Sequence, residues 1–244
     1  MYDFQKSKET VESILSSPTK IVEKDSIPAS DGEFTYANGI KAWVGALFVD
    51  IVNSSKLFQC ANEDTARIIR GFCSEIISIL KEDPNYCEIG IRGDCVYSIY
   101  DAPYQRDLAD IFQHAYRINS FLNMFNKILI KHGYNAISAG IGLGCDQELI
   151  VKAGQNGSGI NDKIWIGKAV VDAAHLADTA NRNGISPIAM SPSFYNNIKD
   201  ILFEKNANYK SWIQAHISAY YSSPDFYHCN IIEKEFDAWI KENI

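Results

Sequence analysis

The chain has 244 residues, 46% of them apolar, and a net charge of −7 at neutral pH. That length fills the core of one elaborated domain or two small ones, and the acidic balance argues against long nucleic acids, which need a basic face. No apolar run is long enough to span a bilayer and no signal-peptide h-region opens the chain, so a cytoplasmic protein without membrane contact is expected.

Residues 2–16 read as an amphipathic helix with Phe4, Val11, Ile14 and Leu15 on its apolar side. Residues 17–38 are polar, carry Pro18, Pro28 and an Asp31-Gly32 turn signal, and read as an ordered arm or linker. The apolar run 42–50 reads as a buried strand, and Asn53-Ser54-Ser55 behind it offer the cap chemistry of a helix start. A helix follows over 64–81, then a hairpin of strands 87–92 and 95–100 around a Gly93-Asp94 turn. The stripe Leu108, Ile111, Phe112, Ala115, Ile118, Leu122, Phe125 marks a long helix over 105–132. A second hairpin is expected over 135–153, broken near Gly144-Cys145-Asp146, followed by a glycine-rich loop at 154–159 and a helix at 168–182. Short strands at 185–190 and 226–233 alternate with helices at 192–203 and 206–217, and 234–243 closes the chain.

The order βααββαββαβ is the split β-α-β arrangement of ferredoxin-like α+β folds, with additions. Residues 1–41 form a helix and arm, 42–192 the core, and 193–244 an extension completing the same domain. The six cysteines (Cys60, Cys73, Cys87, Cys95, Cys145, Cys229) include no Cys-x-x-Cys pair, which favours reduced thiols over a zinc site.

Asp50 and Asp94 carry the chemistry. Each ends a strand, where a carboxylate emerges at a sheet edge. Singly, an aspartate after a strand is a common helix cap and Gly-Asp a common turn. Together, about forty residues apart, with small polar residues after Asp50 whose N–H groups suit phosphate oxygens, they suggest a two-metal phosphoryl-transfer site. Bound divalent cations would also reconcile an acidic chain with a triphosphate.

Leu47-Phe48-Val49-Asp50-Ile51-Val52 and Gly93-Asp94 resemble the catalytic core of the class III nucleotidyl cyclases, and so does the block Ala139-Gly-Ile-Gly-Leu-Gly144 through Ile166-Gly167-Lys168-Ala169-Val170. The likeness covers residues 42–192. It implies two Mg²⁺ or Mn²⁺ ions on Asp50 and Asp94, assisted by the Ile51 carbonyl. It also implies attack of a ribose 3′-OH on the α-phosphate, and a head-to-tail homodimer whose protomers share each site.

At the family's two base-reading positions stand Gly90 and Ile164, neither of which can hydrogen-bond a purine. Arg92 alternates onto the face of Asp94, and its donor-only guanidinium suits uracil O4 better than cytosine's amino group; phosphate binding and a structural ion pair are its other readings. Phe34-Thr35-Tyr36-Ala37-Asn38-Gly39, Tyr227-His-Cys-Asn-Ile-Ile232 and Phe236-Asp-Ala-Trp239-Ile240 are similar to the pyrimidine cyclases of bacterial Pycsar anti-phage systems. The resemblance implies UTP, less readily CTP, as substrate, and a separate effector that responds to the cyclic product.

The transition-state asparagine and arginine of purine cyclases fall on Val171 and His175. A protonated His175 can act as donor, Lys168 or Arg182 can substitute from nearby turns, or His175 is a packed helix residue. The glycine-rich loop is either a lid over the triphosphate or a plain connection; without a lysine at P-loop spacing it is no Walker site. Two other readings follow from these departures: a degenerate nucleotide-binding or dimerisation module, and a purine cyclase with unusual base readers.

Overall fold

The computed structural model describes residues 1–217 and 223–244. In chain order its elements are α1 (Phe4–Ser16), β1 (Lys20–Glu23), β2 (Asn38–Ile51), α2 (Ser54–Phe58), α3 (Glu63–Leu80), β3 (Tyr86–Arg92), β4 (Cys95–Asp101) and α4 (Gln105–Lys131). Then come β5 (Ala139–Gly154), β6 (Asn161–Ile166), α5 (Ala169–Thr179), β7 (Ile188–Met190), α6 (Pro192–Lys205), α7 (Tyr209–Trp212), β8 (Gln214–His216), β9 (Phe226–Cys229) and α8 (Lys234–Asn243). From β2 to β7 the order is βααββαββαβ, the expected α+β arrangement.

One sheet runs β3-β4-β2-β5-β7-β9-β8, with β1 beside β2 and β6 beside β5. Strand alternation gives β2 two distinct faces. Leu47, Val49 and Ile51 pack with Ile68, Phe72 and Ile76 of α3 and Ile111, Phe112 and Ile118 of α4. Ala42, Val44 and Ala46 point the other way and pack with Ile150, Ala169 and Ala173. On that second face α5 lies directly on β5. A Cβ on Gly142 would stand 2.0 Å from the Ala173 carbonyl oxygen, and one on Gly144 2.2 Å from that of Ala169. The glycines 140, 142 and 144 therefore seat a helix; they do not break a strand.

Three expectations need correction. Residues 139–154 form one unbroken strand, and the hairpin is β5 with β6, turned by the glycine-rich loop. Residues 206–217 are not a helix: after the single turn of α7, Ile213 is extended and β8 pairs with β9. The polar arm contains a strand, β1, which pairs in parallel with the start of β2. The α1 helix forms as expected but buries none of its residues. Among the described residues no helix is long and apolar enough to cross a membrane.

Candidate active site

The sheet register brings the two aspartates to one edge. Asp50 sits opposite Gly140 of β5, one residue beyond the Val49–Val96 pair that joins β2 to β4. Asp94 lies in the adjacent turn, where Gly93 takes a positive φ of 63° that a side chain would resist. Both carboxylates flank Cys95: burial first, and then the charges of Asp50 and Asp94, push that thiol up to about 12. Burial likewise raises the Asp50 carboxyl above its ordinary value, reinforced by Asp94 and Asp178 and opposed by Arg182.

Arg182 is the partner that spacing does not reveal. The α5 helix stops before Ala180, short of the expected residue 182, and Arg182 lies in the turn that follows. Its Nη2 donates to Asp50 Oδ2 at 2.7 Å and stands 3.5 Å from the Ile51 carbonyl oxygen. Its Nη1 donates to the carbonyls of Ala177 and Ala180, at 2.9 and 3.1 Å. The close seat of α5 on Gly140, where a Cβ would stand 2.2 Å from the Ala177 oxygen, sets that turn beside Asp50.

This donor set fits a hard cation. A carboxylate and a backbone carbonyl already share one positive group, and oxygen ligands are what Mg²⁺ and Mn²⁺ take. Among the described residues no group of three or more His, Cys, Asp or Glu side chains stands ready to hold an ion. Oxygens from a substrate would therefore have to complete any metal site here.

Asn53, expected as a helix cap, adopts a left-handed conformation with φ 57° and makes no side-chain cap bond. Its role is the chain reversal that starts α2 at Ser54. Arg92 pairs with Cys95, two strands from Asp50 and about 10 Å across the sheet. It is exposed and has no ion pair among the described residues, so the structural ion-pair reading falls away.

Gly90 has a packing reason. It pairs with Tyr97, whose ring would lie 2.5 Å from a Cβ at that position. Tyr97 stacks on Phe48, with centroids 5.0 Å apart, and donates to Glu88 Oε1 at 2.6 Å. Glu88 also accepts from Trp165 Nε1 at 3.0 Å. Burial and the Glu88 carboxylate push the Tyr97 phenol up to about 12. Phe48, Tyr97, Glu88 and Trp165 were not singled out in the sequence; strand alternation from Asp50 and Arg92 places Phe48 and Gly90 on their face.

Ile164, on β6, is 45% exposed. His175 is exposed on α5, and Val171, one turn earlier, is 48% exposed, so neither packs on the sheet. The packed-residue reading of His175 is thereby corrected. The glycine-rich loop stands at the far end of the 16-residue β5, about 45 Å of strand from Asp50 at ~3.3 Å per residue. It cannot close over Asp50 of its own chain.

No protein-family model matches the chain. It is 38% identical over 245 residues to a curated uridylate cyclase from Treponema porcinum, an alignment spanning 100% of this chain and 82% of that protein. A uridylate cyclase from Gulbenkiania mobilis is 28% identical over 229 residues, covering 85% and 88% respectively. Among solved structures, the adenylyl cyclase CyaB from P. aeruginosa superposes with a TM-score of 0.62 at 17% identity, over 80% of this chain and 97% of that one. The guanylyl cyclase Cya2 gives 0.61 at 13% identity, over 80% and 95%. At such identities the structural likeness establishes a shared fold.

Proposed function

The chain belongs to the class III nucleotidyl cyclases of the pyrimidine type, and on that premise we propose that its reaction converts UTP to 3′,5′-cyclic UMP and pyrophosphate. The observation that carries UTP is the full-length likeness to a protein named uridylate cyclase. Arg92 supports it: a donor-only guanidinium, on the face of Asp50 and without an ion pair among the described residues, matches uracil O4 and not the cytosine amino group.

In this reading Asp50, Asp94 and the Ile51 carbonyl hold two divalent cations, Mg²⁺ or Mn²⁺. When bound there, such cations would lower the pKa of the ribose 3′-OH and offset charge on the departing pyrophosphate. The 3′-OH gives up its proton to solvent, and its oxygen bonds to the α-phosphorus as the bridge to the β-phosphate breaks and pyrophosphate leaves. The N–H groups of Asn53, Ser54 and Ser55 face the phosphates behind Asp50. A homodimer presents the exposed α5 face to the nucleotide held by the second copy. There His175 supplies one donor, and Val171 supplies none. Losing one preorganised donor typically costs about 10²–10³ in rate. The product acts in the cytoplasm as a second messenger for a separate effector in anti-phage defence.

The test is incubation of the purified protein with Mn²⁺ and equal UTP, CTP, ATP and GTP, with products resolved by liquid chromatography and mass spectrometry. Cyclic UMP with one pyrophosphate per turnover is expected. Cyclic CMP or a cyclic purine nucleotide would move the substrate. Nucleotide binding without pyrophosphate release would favour a degenerate binding module, the reading that the donorless Val171 supports.

A further inference from the structure

Arg182 takes the same two atoms that the proposed site offers to a cation, Asp50 Oδ2 and the Ile51 carbonyl oxygen. An ion and the guanidinium nitrogen cannot both occupy that position. The other end of the guanidinium is anchored: Nη1 holds the Ala177 and Ala180 carbonyls, which close α5 at its partially negative end. Release of Nη2 is thus a pivot about Nη1 and not a departure of the side chain.

The backbone fixes this geometry. Asn181 and Asn183 both adopt left-handed conformations, φ 57° and 51°, and Gly184 follows at 84°. After glycine, asparagine is the residue that most readily takes this region, and tertiary contacts hold the turn. Asn181 supplies one: its Nδ2 donates to the Ala139 carbonyl at 3.1 Å, and Ala139 pairs with Ile51 in the sheet. The Arg182 carbonyl closes the turn by accepting from Ile185 N–H at 2.9 Å.

A bare divalent ion meets a poor site here. It finds few protein ligands and must displace a positive charge. A triphosphate changes both terms, since it brings anionic oxygens for the ion and a new charge-assisted partner for the freed guanidinium. We propose that Arg182 is the resident counter-cation of the Asp50 site, held there until a divalent ion arrives together with a triphosphate. The inference rests on the metal reading given under Proposed function. Arg182 is a positioning residue that keeps Asp50 and the Ile51 carbonyl set for the ion and suppresses loading by metal alone.

The test is Mn²⁺ binding to the full chain without nucleotide, followed by the electron paramagnetic resonance signal of free Mn²⁺. Arg182→Gln should bind Mn²⁺ at least about tenfold more tightly than wild type, since a unit charge about 4 Å from a divalent ion is worth more than that even at the dielectric of water. Unchanged or weaker binding by a folded Arg182→Gln protein would overturn the proposal and leave Arg182 a helix-end brace. The double variant Arg182→Gln with Asp50→Asn separates the two readings: if it still binds Mn²⁺ as tightly as Arg182→Gln alone, the metal assignment itself fails. Should Arg182→Gln not fold, the wild-type protein decides. With ¹⁵N-arginine labelling, the Arg182 side-chain resonance should shift when Mg²⁺ and a non-hydrolysable UTP analogue are added together, and stay in place with Mg²⁺ alone. A shift with Mg²⁺ alone, or none when both bind, contradicts the proposal.

Discussion

Tyr97 explains why residue 90 carries no side chain. Its ring lies where a Gly90 Cβ would project, and its hydroxyl is tied to Glu88, which Trp165 also holds. Tyr97→Phe should lower stability by about 1 kcal/mol, the usual net worth of one hydrogen bond, in urea denaturation. Gly90→Ala should cost a similar amount or more by pushing the ring off Glu88. If both act through that contact, the double variant will be less destabilised than the sum of the two. Additive losses would mean that Gly90 is constrained by something other than Tyr97. The two aspartates were legible in the sequence because a strand end and a Gly-Asp turn are local patterns. The Arg182–Asp50 pair was not, because it joins positions 132 residues apart through a turn with no periodicity.

The seat of α5 on β5 joins the fold to the site at the level of elements. Gly142→Ala places a Cβ 2.0 Å from the Ala173 oxygen and 2.3 Å from the Ala177 nitrogen, both backbone atoms that cannot rotate away. Overpacking usually costs about 1–3 kcal/mol, and this substitution should reach the upper end in urea denaturation while weakening the Arg182–Asp50 contact. At the other end of α5, the fully buried Glu148 caps the helix by accepting from Ala169 N–H at 2.7 Å, with the Val170 N–H also favouring its charged form. Burial raises its carboxyl above the ordinary 4.5. Its contribution is therefore complete below that value and is lost as pH rises through the raised one. Relative to Glu148→Gln, the wild type should lose stability as pH climbs above 4.5, with a slope of up to about 1.4 kcal/mol per pH unit. A flat difference would show that burial does not govern this carboxylate.

Helical periodicity made α3 and α4 readable, and alternation with a Gly-Asp turn did so for β3 and β4. The glycines of β5 misled, because a strand breaker and a seat for a helix look alike until the helix is placed. Residues 214–216 look helical in the sequence because their pairing with β9 is a tertiary choice that local propensity does not encode.

Across the whole molecule, α4 binds the C-terminal segment to the core through buried polar groups. Asn119, 5% exposed, donates to Asn230 Oδ1 and the Ile231 carbonyl, each at 2.9 Å, and Ser120 Oγ accepts from Glu233 N–H at 2.7 Å. Arg117 adds Glu233 and Glu82. Asn119→Ala strands the buried Ile231 carbonyl, while the exposed Asn230 turns to water, and should cost about 1–3 kcal/mol in urea denaturation. A loss near zero would mean that 230–233 is held by apolar contacts alone. The resemblance of this segment to pyrimidine cyclases was legible as a motif; its attachment to α4 was not, since the contacts bridge more than a hundred residues.

The central claim is that Asp50 and Asp94, brought to one sheet edge, carry cyclisation of UTP. The most direct measurement compares cyclic UMP and pyrophosphate formation by wild type, Asp50→Asn and Asp94→Asn with Mn²⁺, with thermal melting run on each. The account predicts product from wild type, a fall of at least about 10³ in each variant, and melting curves that stay cooperative. A folded variant of either kind that still makes cyclic UMP at the wild-type rate would contradict it.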